Sequence, residues 1–234
     1  MFNSLELTGR SSTHVREVPE LGCILHGEAV PQALAMRAAA RAAGIELAIV
    51  SSFRDFDRQV ALWNAKYSGA RQLLDRDGRA LNHAHLSESA LIDAILIWSA
   101  LPGASRHHWG TDLDVVDRAA VAPDYRPQLV PAEFGSNGPF ARLDAWLAVN
   151  MATFGFFRPY TTDRGGVQPE PWHLSFAPVA EPALAALTPQ VLSAALAASG
   201  MHGREAVLAR LPELYTRYVT AIDPPRVNLP PRPF

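Results

Sequence analysis

Ser105-Arg106-His107-His108-Trp109-Gly110-Thr111-Asp112-Leu113-Asp114 packs two imidazoles and two carboxylates into ten residues. A second stretch, Glu170-Pro171-Trp172-His173, adds one of each. A catalytic zinc site takes three protein ligands, an open position for water and a nearby base that is not a ligand. His107, Asp114 and His173 can supply the ligands, and Glu170 the base. Asp114 lies seven positions after His107, too far for one helical turn. The spacing suits a loop that carries the histidine and enters a strand carrying the aspartate. Gly110 between them allows a tight backbone path. Pro171 pushes Glu170 out of helical geometry, so the second stretch also reads as a loop running into a strand.

Outward from these stretches, helices and short strands alternate. Val30 to Gly44 predicts a helix, with Pro31 in its first turn and Gly44 as its stop. Ile45 to Phe53 predicts a buried strand. Asp55 to Tyr67 predicts a second helix with Val60, Trp63 and Tyr67 on one face. Ser87 to Leu101 reads as an apolar helix ended by Pro102-Gly103. Thr111 to Val116 and Trp172 to Phe176 read as strands, and Phe140 to Phe154 as an amphipathic helix. The Pro- and Gly-containing stretches 118–139 and 158–169 read as loops. Residues 1–29 read as an extended lead-in with short strands. Pro182 to Tyr218 is helical in pattern, and Pro224 to Phe234, with five prolines, reads as extended. The pattern predicts an α+β fold: a small antiparallel sheet carrying the zinc site, flanked by helices, with a C-terminal helical extension. Residues 1–180 are expected to form the catalytic domain, lead-in included. Residues 181–234 would be an extension packed on the same domain.

The chain has 234 residues, 48% of them apolar and 19% charged, with a formal net charge of -2. That balance disfavours nucleic acid as a partner. Cys23 is the only cysteine, which excludes an intrachain disulfide and a cysteine-rich metal cage. The apolar run Ala90 to Leu101 contains Asp93 and Ser99 and is too short to span a bilayer. No basic region followed by an apolar one is read near Met1. This favours a cytoplasmic location, whereas a mature-wall substrate would imply the periplasm. Trp63, Trp98 and Trp146 are expected in the core, His108 in packing, and His83-x-His85 in an exposed loop.

The motifs together resemble the zinc D-Ala-D-Ala peptidases, which include the carboxypeptidases and dipeptidases of vancomycin-resistance systems. These share a superfamily with lysostaphin-like endopeptidases and hedgehog domains. The resemblance rests on Ser105, His107, Gly110 and Asp114 in register, on Glu170-Pro171-Trp172-His173, and on Ser51-x-Phe53-Arg54 followed by Gln59. It covers roughly residues 28–178. It implies one zinc ion on His107, Asp114 and His173, with Glu170 as general base. Arg54 would hold the substrate carboxylate or the carbonyl oxygen. Gln59 and Ser105 would position the terminal D-residue, and Trp172 would wall the pocket. The implied activity is D-alanyl-D-alanine carboxypeptidase action on peptidoglycan stem peptides, their precursors or small D-Ala-terminated peptides. Endopeptidase and D,D-dipeptidase action are alternatives, and a zinc-stabilised binding module is the alternative of another class. Asp112 departs from the family's small residue. It shares the strand face of Asp114, so it is expected to orient a ligand or meet a substrate amine. Ser175 and Phe176 depart from the Arg and Tyr common after the last histidine.

Overall fold

Apolar spacing sets the helices, and the sheet joins them. A computed structural model of the chain describes residues 1–225. A four-residue helix α1 (Ser4–Leu7) precedes a hairpin of β1 (Val15–Val18) and β2 (Cys23–His26). Helix α2 (Val30–Ala42) follows, burying Val30, Ala33, Met36 and Ala40 at helical spacing. Strand β3 (Leu47–Ser51) leads into α3 (Phe56–Tyr67), whose N-cap Asp55 accepts from the Arg58 amide. Phe56, Gln59 and Trp63 form the buried face of α3, and Lys66 continues that row.

Helix α4 (Glu88–Leu96) is fully apolar on its buried side. It ends well before the expected Leu101. Beyond it, the Trp98 and Ala100 carbonyls accept hydrogen bonds from Lys66 Nζ (3.4 Å) and Gln59 Nε2 (2.7 Å) of α3, which turns the chain out of the helix. Strand β4 (Asp112–Asp117) is buried along its whole length. The expected loop 118–139 contains a short helix α5 (Pro131–Phe134). There the buried Glu133 carboxylate gathers the Gln128 and Val130 amides and the Tyr125 hydroxyl. Helix α6 (Ala141–Asn150) runs into a 3-10 turn, then β5 (Phe156–Phe157) and β6 (His173–Phe176).

The second sheet has the order β3-β4-β6-β5 and is antiparallel throughout. One apolar core (Met36, Leu113, Val115, Leu147, Leu174) joins this sheet to α2 and α6. A second core (Trp63, Ile92, Ile95, Leu192, Leu196, Val207) joins α3 and α4 to the C-terminal helices. These are α7 (Ala177–Ala186), α8 (Pro189–Ala197), α9 (Arg204–Ala209) and α10 (Leu211–Leu214). The extension thus starts earlier than Pro182, which lies inside α7. It is a series of short helices rather than one run, broken first where Leu187 turns extended and Thr188 caps α8. Among the described residues, no single helix is long and apolar enough to cross a membrane. The expected extended tail lies, from residue 226 onward, outside the described residues.

Candidate metal centre

Register places the site. Asp114 of β4 sits directly opposite His173 of β6 on one side and opposite Ser51 of β3 on the other. Opposed residues share a sheet face with their side chains in contact. His107 comes from a 3-10 turn, Arg106–Trp109, that leads into β4. Gly110 ends this turn at φ 67°, and a Cβ there would lie 2.4 Å from Val15 and 2.8 Å from the His26 amide. Only glycine lets the turn close against the first hairpin.

One donor atom from each of His107, Asp114 and His173 lies within 4.8 Å of the others, all three residues buried. Each imidazole is anchored at its far nitrogen. His107 Nδ1 donates to the Ser52 carbonyl (2.8 Å), turning Nε2 toward Asp114 Oδ2 (3.5 Å). His173 Nε2 donates to Asp112 Oδ2 (2.8 Å), turning Nδ1 toward Asp114 Oδ1 (3.2 Å). Asp114 Oδ1 is buried with no hydrogen-bond partner. An orphaned carboxylate oxygen between two anchored imidazoles fits a cation, and the two-nitrogen, one-oxygen set is of the kind found in catalytic zinc sites. Burial lowers His107 to about 4, so it is a neutral donor at pH 7. Burial opposes charge on His173 too, but the hydrogen bond to Asp112 and the negative charges of Asp114 and Asp112 beside it outweigh burial and push that imidazole up to about 10. His173 would have to give up this proton to serve as a metal ligand.

Glu170 stands beside the set, with Oε2 3.4 Å from His173 Nδ1. Burial raises its carboxyl to about 7, suiting proton exchange near neutral pH. The Glu170 amide donates to the Tyr160 carbonyl (2.9 Å). Arg54 donates to Gln59 Oε1 (2.8 Å) and Ser51 Oγ (3.1 Å). His108 fixes the Arg54 backbone, donating from Nδ1 to its carbonyl (2.6 Å).

These groups open on a cavity of ≈ 780 Å³. Arg54, Ser105, His107, Asp114, Glu170, Trp172 and His173 line it, as the sequence reading expects of site residues. Two expected substrate contacts do not. Gln59 is fully buried, its amide spent on Arg54 and on the Ala100 carbonyl, so it holds Arg54 in place instead. Asp112 is fully buried behind His173. Its Oδ1 accepts from Thr111 Oγ1 (2.6 Å) and Ser175 Oγ (2.8 Å), and its Oδ2 from His173 Nε2 and Arg106 Nε (2.9 Å). No lone pair is left for a substrate amine. Ser175 is the residue opposite Asp112 in the register, so the two departures from the family pattern are partners. Arg106 completes the group, donating to Ser175 Oγ (2.5 Å) and stacking on Trp109 and Phe157.

Tyr160, Arg106, Lys66, Arg71 and Trp98 also line the cavity, and none was singled out from the sequence for the site. Tyr160 packs edge-on against His173, its ring centroid 5.3 Å away. Trp98, expected in the core, is half-buried on the cavity wall.

Residues 23–179 match the family model described as VanY, D-alanyl-D-alanine carboxypeptidase. The chain belongs to the VanY family. It is a metallo-carboxypeptidase of peptidoglycan-peptidase type. A Haemophilus influenzae protein described as uncharacterized is 32% identical over 121 residues, which is 51% of this chain and 92% of that protein. The structure of VanYB in complex with D-alanine-D-alanine is similar at TM-score 0.49 and 24% identity, over 72% of this chain and 79% of that one. A VanY mutant from a VanB-type resistance cassette, solved in complex with Zn(II), is similar at TM-score 0.48 and 22% identity, over 71% and 81%.

Proposed function

We propose that this VanY-family chain is a zinc carboxypeptidase that removes the terminal D-alanine from D-Ala-D-Ala-ended stem peptides or precursors. The observation that carries this reading is the neighbourhood of Glu170: a carboxyl near pKa 7, beside an anchored His-Asp-His donor set, on a cavity that opens to solvent.

Zinc, when bound by His107, Asp114 and His173, supplies a Lewis acid that polarises the scissile carbonyl and makes water more acidic. Glu170 accepts the proton of the attacking water and delivers it to the leaving amine. Arg54, pre-set by Gln59 and Ser51, offers its remaining N–H groups to the carbonyl oxygen as charge develops there. Ser105 Oγ and Arg106 Nη1 are buried without partners, and both residues line the cavity. They suit the terminal carboxylate, which would satisfy both donors. Trp172, buried against Phe134, walls this end.

The test is release of D-alanine from acetylated D-Ala-D-Ala peptides by the zinc-loaded protein, followed by mass spectrometry. Glu170→Gln should keep zinc and lose roughly 10²–10⁴-fold in rate. Absence of release at full zinc occupancy overturns the reading. Cleavage of free D-Ala-D-Ala alone, or of cross-links, would move it to dipeptidase or endopeptidase action.

A further inference from the structure

Three cations share the cavity with the metal donors: Arg54, Lys66 and Arg71. Among the described residues, none of the three lies within ion-pair distance of a carboxylate. The other two arginines on the wall are already matched, Arg76 with Asp163 and Arg106 with Asp112, each at 2.9 Å. The unmatched carboxylates of the wall are Asp114 and Glu170, and a divalent metal balances those two. Three positive charges then face the cavity. The terminal carboxylate, assigned above to Ser105 and Arg106, and the carbonyl oxygen, assigned to Arg54, leave Lys66 and Arg71 without an anionic partner.

Lys66 and Arg71 stand where the remaining charge would be met. Lys66 extends the row of Gln59 and Trp63 along α3, and its ammonium has a single acceptor, the Trp98 carbonyl at 3.4 Å. An ammonium carries three donors, so two are left over. Burial, reinforced by the positive charge of Arg71, lowers Lys66 to about 8. The chain then folds back past the end of α3, the Arg71 amide donating to the Ala65 carbonyl (2.8 Å), which sets Arg71 on the same wall. A cavity of ≈ 780 Å³ is far larger than one terminal alanine needs and is of a size that takes a drug-sized ligand. The extra room therefore receives residues on the amino side of the scissile bond.

We propose that Lys66 and Arg71 form a second carboxylate site, and that the preferred substrates carry an acidic residue on the amino side of the bond that is cut. This rests on the peptidase reading above and names its substrate class. A carboxylate there would give Lys66 and Arg71 the counter-ion that the fold withholds, with the half-buried Lys66 as the less screened partner and Arg71 at the exposed rim.

The experiment compares acetyl-Glu-D-Ala-D-Ala with its isosteric acetyl-Gln-D-Ala-D-Ala counterpart. Turnover is measured on the zinc-loaded wild-type chain. Binding is measured by calorimetry on the zinc-loaded Glu170→Gln chain, with and without Lys66→Gln or Arg71→Gln. The Glu peptide should bind about tenfold more tightly than the Gln peptide, a ratio that added salt erodes. Each charge-removing substitution should pull the ratio toward one, and Lys66→Arg should preserve it. Equal affinity for the two peptides overturns the proposal. So does a ratio that survives both substitutions, or an equal loss for both peptides in the variants. If the Glu preference holds while the wild type turns over neither peptide, the acidic site stands and the peptidase reading falls. Turnover of both peptides without preference gives the reverse.

Discussion

Behind His173, the Asp112 carboxylate has four hydrogen-bond donors on its two oxygens. In front of it, Ser105 Oγ, Arg106 Nη1 and Asp114 Oδ1 are equally buried and have none. A buried polar group without a partner costs on the order of 1–3 kcal/mol, and folded chains leave few of them. The rear is therefore finished by the fold itself, while the front is finished by what enters. On the rear, Arg106 and Asp112 neutralise each other at 2.9 Å. On the front, Arg54, Lys66 and Arg71 wait for charge from outside. Arg106 belongs to both sides: Nε and Nη2 are bound behind, Nη1 has no partner, and the residue lines the cavity.

If the rear is structural, breaking it should damage the protein before any substrate is added. Asp112→Leu leaves the Arg106 guanidinium buried without its counter-ion and should cost about 3–5 kcal/mol of stability, read from urea unfolding. Asp112→Asn keeps the shape but removes the charge behind His173. It should weaken zinc binding roughly 10–100-fold in a chelator competition. Wild-type zinc affinity in Asp112→Asn would reduce the rear network to packing.

The rear and the front also differ in how far the sequence discloses them. The donor set was legible because the residue types demand it: two imidazoles and a carboxylate on a loop entering a strand, with a second loop and strand to match. The strands β4 and β6 were legible for the same local reason. The place of Asp112 was not. It shares a face with Asp114, and parity alone cannot tell which of the two meets the cavity. The register decides, by setting His173 opposite Asp114 and Ser175 opposite Asp112. The front cations were illegible in another way. Lys66 is one lysine at a helix end, and Arg71 and Tyr160 are loop residues, so no periodicity marks them. They meet only when α3 and the loop 158–169 pack around the sheet. Helix α4 stops short of the expected Leu101 because the groups that draw out the carbonyls beyond it lie on α3, which the local sequence does not show.

A front residue should behave in the opposite way to Asp112. Ser105→Ala removes a buried hydroxyl that has no partner in the free protein, so unfolding should be unchanged or slightly harder. A hydrogen bond to a carboxylate is worth about 1.5–3 kcal/mol, so kcat/KM for a D-Ala-D-Ala peptide should fall by roughly 10–100-fold. A variant that loses stability and keeps kcat/KM would move Ser105 to the rear group.

The smallest effect is expected where the front is braced from outside the family-matched region. Asp223, beyond α10, accepts hydrogen bonds from the Thr161 amide (2.8 Å) and hydroxyl (2.5 Å), the Thr162 amide (2.9 Å) and Arg164 Nε (2.8 Å). This ties the C-terminal segment to the loop that supplies Tyr160 and leads to Glu170. Burial works against the Asp223 charge, but these donors outweigh it and hold the carboxyl at about 2, below the ordinary aspartate value of about 3.9. A carboxyl whose pKa is depressed by folding stabilises the folded state above the unfolded pKa, and that stabilisation is lost as pH falls through the folded one. Asp223 should therefore contribute roughly 2 kcal/mol at pH 7, fading between about pH 4 and pH 2. Asp223→Asn should unfold at lower urea than wild type at pH 7, with the gap narrowing as the pH is taken toward 2. A gap that does not depend on pH would mean that the loop is held by shape rather than by this charge. The metal donors, which Asp223 does not touch, should bind zinc as before. Loss of zinc affinity in Asp223→Asn would show that the front wall and the ligand set are one mechanical unit, and the separation of rear from front would fail.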